Sequence, residues 1–243
     1  MLQNDPAILI TGEANDSLVK PLTSKGFIVD VIPFIRTEGL QSEKVQQAIE
    51  NISMQQATVV FSSSNAVKAV HHFIQNKKTG WKIYCVGNTT RSLTENLFTG
   101  ANIIAATDSA TQLAQQIIAD KENINEVYFF CGNKRRDELP NLLAQNNIAV
   151  HEIEVYTTTI LQHTVSKNYD GILFFSPSAA EGFLKSNIVN DTTVLFAIGS
   201  TTADEIKKFS KNMIIIADKP GKQHLIEKAI EYFFHIQEDV QSC

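Results

Sequence analysis

Phe61-Ser62-Ser63-Ser64-Asn65-Ala66 and Phe175-Ser176-Pro177-Ser178-Ala179-Ala180 are identical at four of six places, and each follows a short apolar run. In both copies the run reads as a strand and the polar residues as the start of a helix, since Ser and Asn favour helix caps. The match continues downstream. Gly87-Asn88-Thr89-Thr90 lines up with Gly199-Ser200-Thr201-Thr202, after gaps of 23 and 21 residues from the preceding serine. A weaker echo relates residues 8–34 to 128–156, each with a strand, a Gly, a helix holding Pro21 or Pro140, and a second strand. The chain therefore has the order A-B-A′-B′, with two strands in each A unit and three in each B unit. One A plus one B makes a five-stranded domain. Sequential pairing (A with B) and swapped pairing (A with B′) both satisfy the repeat.

Outward from these stretches, strands are expected near residues 7–12, 27–33, 58–61, 82–87, 101–105, 127–132, 148–156, 170–175, 194–199 and 213–217. Helices are expected near 16–25, 42–54, 65–75, 89–97, 110–120, 135–146, 179–185, 201–209 and 222–234. Several strands are continuous apolar runs, as parallel strands covered on both faces require. Alternation of this kind means βαβ units with right-handed crossovers, so the class is α/β, doubly wound.

The 243 residues are 43% hydrophobic and 19% charged, within the range of a folded chain. No apolar run reaches the length of a membrane span, and the N-terminus carries no basic-then-apolar leader, so the cytoplasm is the expected compartment. Cys85, Cys131 and Cys243 are too few and too spread for a disulfide framework or a zinc cluster; Cys85 and Cys131 read as core residues. A net charge of −5 speaks against nucleic acid as a partner.

Polar residues gather at five strand-to-helix turns: Ser62–Asn65, Gly87–Thr90, Gly132–Arg136, Ser176–Ser178 and Gly199–Thr202. In a doubly wound sheet such turns lie at the carboxyl ends of strands, where ligands bind. Hydroxyls and unpaired N–H groups there suit a carboxylate or phosphate, or serve only as caps. Dinucleotide and NTP phosphate loops are both missing, and so is the G-x-S-x-G elbow. His71-His72 reads as a solvated helix surface. Of the four arginines, Arg36, Arg91, Arg135 and Arg136, the last two follow Cys131-Gly132-Asn133-Lys134. A small basic focus for an anionic ligand is expected there.

Taken in order, Val59–Val67, Val86–Thr90, Cys131–Pro140, Val155–Thr158, Phe174–Ser178 and Ala197–Ala203 resemble uroporphyrinogen-III synthases, over about residues 7 to 235. The resemblance implies two related flavodoxin-like domains, 1–36 with 158–243 and 37–157, joined by a two-stranded β-ladder with the active site in the interdomain cleft. It thus implies the swapped pairing and, across two thin crossings, relative domain motion. It also implies that hydroxymethylbilane, a linear tetrapyrrole with eight carboxylates, is closed to uroporphyrinogen III with loss of water and inversion of ring D, without cofactor or metal. Transient handover from the preceding enzyme is the one protein contact expected; no nucleic acid or membrane partner is implied.

Tyr156 matches the family's cleft tyrosine, which assists loss of the hydroxyl. Carried over as substrate-binding residues are Ser62, Ser63, Ser64 and Asn65; Gly87, Asn88, Thr89 and Thr90; Gly132, Asn133 and Arg135; Ser176, Pro177 and Ser178; and Gly199, Thr201 and Thr202. Relatives carry Pro and Arg where this chain has Ser64 and Asn65. The rival class is a two-domain protein that binds an anionic small molecule without catalysis.

Overall fold

The computed structural model describes residues 5–75, 77–120, 122 and 124–241, with side chains up to residue 234; Met1–Asn4 and Cys243 lie outside the described residues. The chain divides into two compact units. One runs up to Arg36 and resumes at Thr159; the other is Thr37–Thr158.

In the first unit, β1 (Ala7–Ile10) and β2 (Ile28–Val31) flank α1 (Asp16–Thr23), and β9 (Gly171–Phe174), β10 (Val194–Ala197) and β11 (Ile214–Ile216) alternate with α7 (Pro177–Leu184), α8 (Ser200–Lys207) and α9 (Lys222–Gln241). The parallel sheet has the order β11-β10-β9-β1-β2. Successive side chains of each strand feed opposite cores. Ile8, Ile10, Leu173, Val194 and Phe196 join α1 and α9, while Leu9, Ile172, Phe174, Leu195 and Ala197 join α7 and α8. Both faces of the sheet are covered, which explains why its strands read as continuous apolar runs.

The second unit holds β3 (Ile35–Gly39), α2 (Glu43–Ser53), β4 (Thr58–Phe61), α3 (Ser64–Ile74), β5 (Lys82–Val86), α4 (Asn88–Leu97), β6 (Asn102–Thr107), α5 (Ala110–Ala119), β7 (Glu126–Gly132), α6 (Glu138–Gln145) and β8 (Ala149–Ile160), with β3 beginning before and β8 ending after its bounds. Its sheet order is β3-β8-β7-β4-β5-β6. Without β3, this is the order of the first unit with β4, β5, β6, β7 and β8 in the places of β9, β10, β11, β1 and β2. The repeat therefore pairs A with B′ and B with A′.

β3 is absent from the strands expected from apolar runs, since Arg36, Thr37 and Glu38 are too polar to read as a buried strand; only the family resemblance implied a ladder there. It lies beside β8: Leu40 N–H donates to the Val155 carbonyl, Leu161 N–H donates to the Phe34 carbonyl, and the Thr37 and Thr158 hydroxyls pair at 3.3 Å. Partner numbers fall on β8 as they rise on β3, so the ladder is antiparallel. Helix α6 begins at Glu138, later than expected from Arg135, because residues 133–137 form a turn in which Arg135 N–H donates to the Gly132 carbonyl. Among the described residues, no helix is long and apolar enough to cross a membrane.

Candidate active site

In the second unit the parallel register fixes a row of three residues at the carboxyl edge of the sheet. Phe61 of β4 pairs with Phe130 of β7, so two residues further on Ser63 is level with Gly132. Gly132 pairs in turn with Tyr156 of β8. The β7–β8 register slips by one between Cys131 and Gly132, so that Cys131 faces Glu154 and Gly132 faces Tyr156, leaving Val155 as the extra residue of a bulge. The consequence is a change of face. Ile153 and Val155 pack with α2 and α3, and strict alternation would send Tyr156 the other way; instead it packs with them.

The Tyr156 ring lies directly over Gly132. A Cβ built on that glycine would stand 2.4 Å from both Cε2 and Cζ of the ring. Gly132 is thus the space through which the phenol reaches across β7 towards the end of β4. Beyond that end the Ser63 oxygen accepts the Asn65 N–H at 3.1 Å and caps α3. Burial raises the phenol's pKa above its ordinary value, and the Ser63 hydroxyl works against that rise. At neutral pH Tyr156 therefore keeps its proton and can give it.

The helix starts divide into two kinds. Ser63 and Ser176 use their side chains as caps, the latter accepting the Ala179 N–H at 3.2 Å. Pro177 fills the first position of α7, where the missing N–H costs nothing. By contrast, α4 and α8 start after Gly87 and Gly199, and neither has a side-chain cap. Gly87 adopts φ 84°, which favours glycine, and a Cβ on either residue would meet nothing within 4 Å. In each case the next two residues, Asn88-Thr89 and Ser200-Thr201, are exposed, whereas Thr90 and Thr202 are buried, at 5% and 1% exposure. α4 and α8 thus start, one in each unit, behind a glycine with uncapped N–H groups, open space and exposed polar side chains.

Two expected ligand residues are already engaged. Asn133 continues the ladder beyond β7: its Oδ1 accepts the Thr158 N–H at 2.8 Å and its Nδ2 donates to the Thr158 carbonyl at 3.4 Å. Arg135 forms ion pairs with Asp137 and Glu152, and Arg136 lies 3.8 Å from Glu138. Glu152 is level with Phe129, on the sheet face away from Tyr156. Cys131, Asn133, Arg135, Asp137, Glu152 and Glu154 line a recess of about 440 Å³ in which carboxylates outnumber the one arginine. The basic focus expected at this turn is therefore neutralised, and Arg135 does not join the Tyr156 row.

The sequence reading also missed Lys222 in the first unit. Its Nζ donates to the Glu13 carbonyl at 2.7 Å and sits 4.8 Å from the centre of the Phe175 ring, next to Ser176. Nothing local in the sequence marks this lysine beyond its place at a helix start. His71 is half-buried with its ring 5.8 Å from that of Phe98, so only His72 is a plainly solvated helix residue.

The sequence model of the family described as uroporphyrinogen-III synthase HemD matches residues 16–227. The chain belongs to the uroporphyrinogen-III synthase family. It is a lyase of tetrapyrrole and haem biosynthesis, closing hydroxymethylbilane to uroporphyrinogen III with loss of water and inversion of ring D. Solved structures share the fold. The uroporphyrinogen-III synthetase of Helicobacter pylori superposes with a TM-score of 0.65 at 16% identity, covering 93% of this chain and 99% of that one. A triply substituted uroporphyrinogen III synthase of Thermus thermophilus gives 0.65 at 11% identity, covering 96% and 99%. The wild-type enzyme of that organism gives 0.53 at 12% identity, covering 97% and 99%.

The two described cysteines, Cys85 and Cys131, are buried and free. Burial pushes the Cys85 thiol up to about 11 and the Cys131 thiol up to about 12. Since the thiolate is the reactive form, neither is a nucleophile at neutral pH. A Cys243→Ser chain titrated with an aromatic disulfide at pH 8 is expected to show no fast-reacting thiol when folded and two when unfolded. Fast labelling of the folded chain would contradict the burial of both.

Proposed function

We propose that Tyr156 gives its phenolic proton to the departing hydroxyl of hydroxymethylbilane, and that the open starts of α4 and α8 receive carboxylate arms of the substrate. The carbon–oxygen bond breaks with both electrons going to oxygen, the Tyr156 proton completes the water, and the pyrrole left behind, its N–H retained, becomes an azafulvenium cation. The phenolate regains a proton from those released as the macrocycle closes. What remains for the protein is placement, since ring D must be attacked at its substituted carbon; holding the arms limits the accessible folds of the chain. The observation that carries this reading is the Ser63–Gly132–Tyr156 row, which turns a protonated, half-buried phenol out of the strand's normal alternation.

Of the other residues carried over from the family, Ser63, Ser176 and Pro177 build helix starts, Gly132 makes room, and Asn133 holds the end of β8. Gly87, Asn88 and Thr89 are proposed as carboxylate contacts in one unit, and Gly199, Ser200 and Thr201 in the other. Because the free substrate closes unaided to the uninverted isomer, we also propose that it arrives by transient handover from the enzyme that makes it, and that both act in the cytoplasm.

The test is the isomer ratio formed from hydroxymethylbilane. Uroporphyrinogen III far above the uncatalysed level supports the reading, whereas substrate binding without it leaves only a binding protein. At the helix starts, Thr89→Ala and Thr201→Ala are each expected to raise KM about tenfold at unchanged melting temperature, the scale of one hydrogen bond to a charged group. Thr90→Ala and Thr202→Ala, at buried positions, are expected to cost ~1 kcal/mol of stability instead. The opposite pattern would place the carboxylates elsewhere.

A further inference from the structure

The row of Ser63, Gly132 and Tyr156 in the second unit has a counterpart in the first. Ile10 of β1 pairs with Leu173 of β9, so three residues further on Glu13 is level with Ser176. Ser176 takes the place of Ser63, and Glu13 that of Gly132. The ring of Tyr156 covers Gly132, whereas at Glu13 stands the ammonium of Lys222, donating to the Glu13 carbonyl at 2.7 Å. The same ammonium sits 4.8 Å from the centre of the Phe175 ring, and that ring lies against Gly12, where a Cβ would stand 3.2 Å from its Cδ2. A carbonyl and a ring face orient an ammonium without cancelling its charge.

Local rules disfavour a lysine at this position. Lys222 is the first residue of α9, a helix of 20 residues, and a cation opposes the positive dipole end there. Holding its long side chain across to β9 and β1 also costs rotamer entropy. Residues that break a local rule are expected at functional sites. This one lies at the carboxyl edge of a doubly wound sheet, where ligands bind, and β9 adjoins β10, the strand that leads into Gly199 and α8. We infer that Lys222 is a substrate-binding residue of the first unit: its ammonium forms an ion pair with a carboxylate arm of hydroxymethylbilane at the carboxyl edge of this sheet. The inference deepens, and rests on, the reading that the first unit receives such arms.

Lys222→Met keeps the apolar stem beside Phe175 and removes the charge. It is expected to raise KM for hydroxymethylbilane about five- to tenfold, with kcat and melting temperature little changed, the scale of a hydrogen bond to a charged group at a partly exposed site. Lys222→Arg, which keeps the charge, should recover most of that loss. The ratio of the two KM values, variant over wild type, should fall towards one as ionic strength rises to about 1 M, where the screening length is ~3 Å. An unchanged KM for Lys222→Met, or a raised KM that salt does not reduce, would make the lysine a tether for α9 and overturn the inference. Thr201→Ala keeps this result apart from the reading beneath it. If Thr201→Ala raises KM and Lys222→Met does not, the inference falls while the start of α8 keeps its carboxylate; if neither raises it, the first unit receives no arm and both fall. A salt-sensitive rise for Lys222→Met alone would uphold the lysine and take the carboxylate away from the helix start.

Discussion

Gly132→Ala is expected to abolish most turnover and to cost ~1–3 kcal/mol of stability, the usual range for overpacking. The added Cβ would stand 2.4 Å from two atoms of the Tyr156 ring and 2.9 Å from a third. The glycine cannot retreat easily, because its carbonyl accepts the Arg135 N–H at 3.1 Å and the next N–H donates to the Tyr156 carbonyl at 3.3 Å. The ring must therefore swing out of the row, which carries its hydroxyl away from the reacting oxygen. Chemical denaturation and the isomer assay read the two effects separately. In a Tyr156→Ala background the alanine meets no ring, so its stability cost should shrink to within ~0.5 kcal/mol, a large coupling for a pair in contact. A Gly132→Ala chain with normal stability and turnover would show that the ring does not lie over this residue in solution.

Tyr156→Phe is expected to lower kcat by about 10- to 100-fold, with the fold intact. General-acid contacts contribute about 10²–10⁴-fold, and the lower end applies because the hydroxyl to be lost is already activated by the pyrrole. The ring, which packs with the core of α2 and α3, is retained in phenylalanine, so the melting temperature should hold. The isomer ratio supplies a second readout. If the carboxylate contacts place ring D independently of the phenol, the variant should still give uroporphyrinogen III, only more slowly. A collapse of the ratio to the uncatalysed isomer would instead make Tyr156 part of the placement, and an unchanged rate would remove it from the mechanism.

Much of the fold was legible because the signals are local. Strand β4 falls at Thr58–Phe61 as the apolar run reads, and Ser42, Ser63, Ser109 and Ser176 cap the helices they precede. β3 was not legible, because its stability comes from the ladder with β8 and not from burial of its own side chains. The repeat itself was read one residue out. Matching identical letters sets Phe61 on Phe175, whereas the strand ends and caps set Phe61 on Phe174 and Ser63 on Ser176. Geometry keeps the cap in place; letter identity does not.

The sequence by itself determined an α/β chain with paired sets of polar turns, because hydrophobic period, Gly and cap residues act within a few positions of where they stand. The tertiary structure alone decided how those turns are used. That A pairs with B′ depends on which strands meet. That Arg135 is spent on Asp137 and Glu152 depends on a neighbouring strand. That Tyr156 lies over Gly132 depends on a one-residue slip between β7 and β8. Each of these is a matter of register between segments remote in the chain, and register is set by packing, which no local pattern carries.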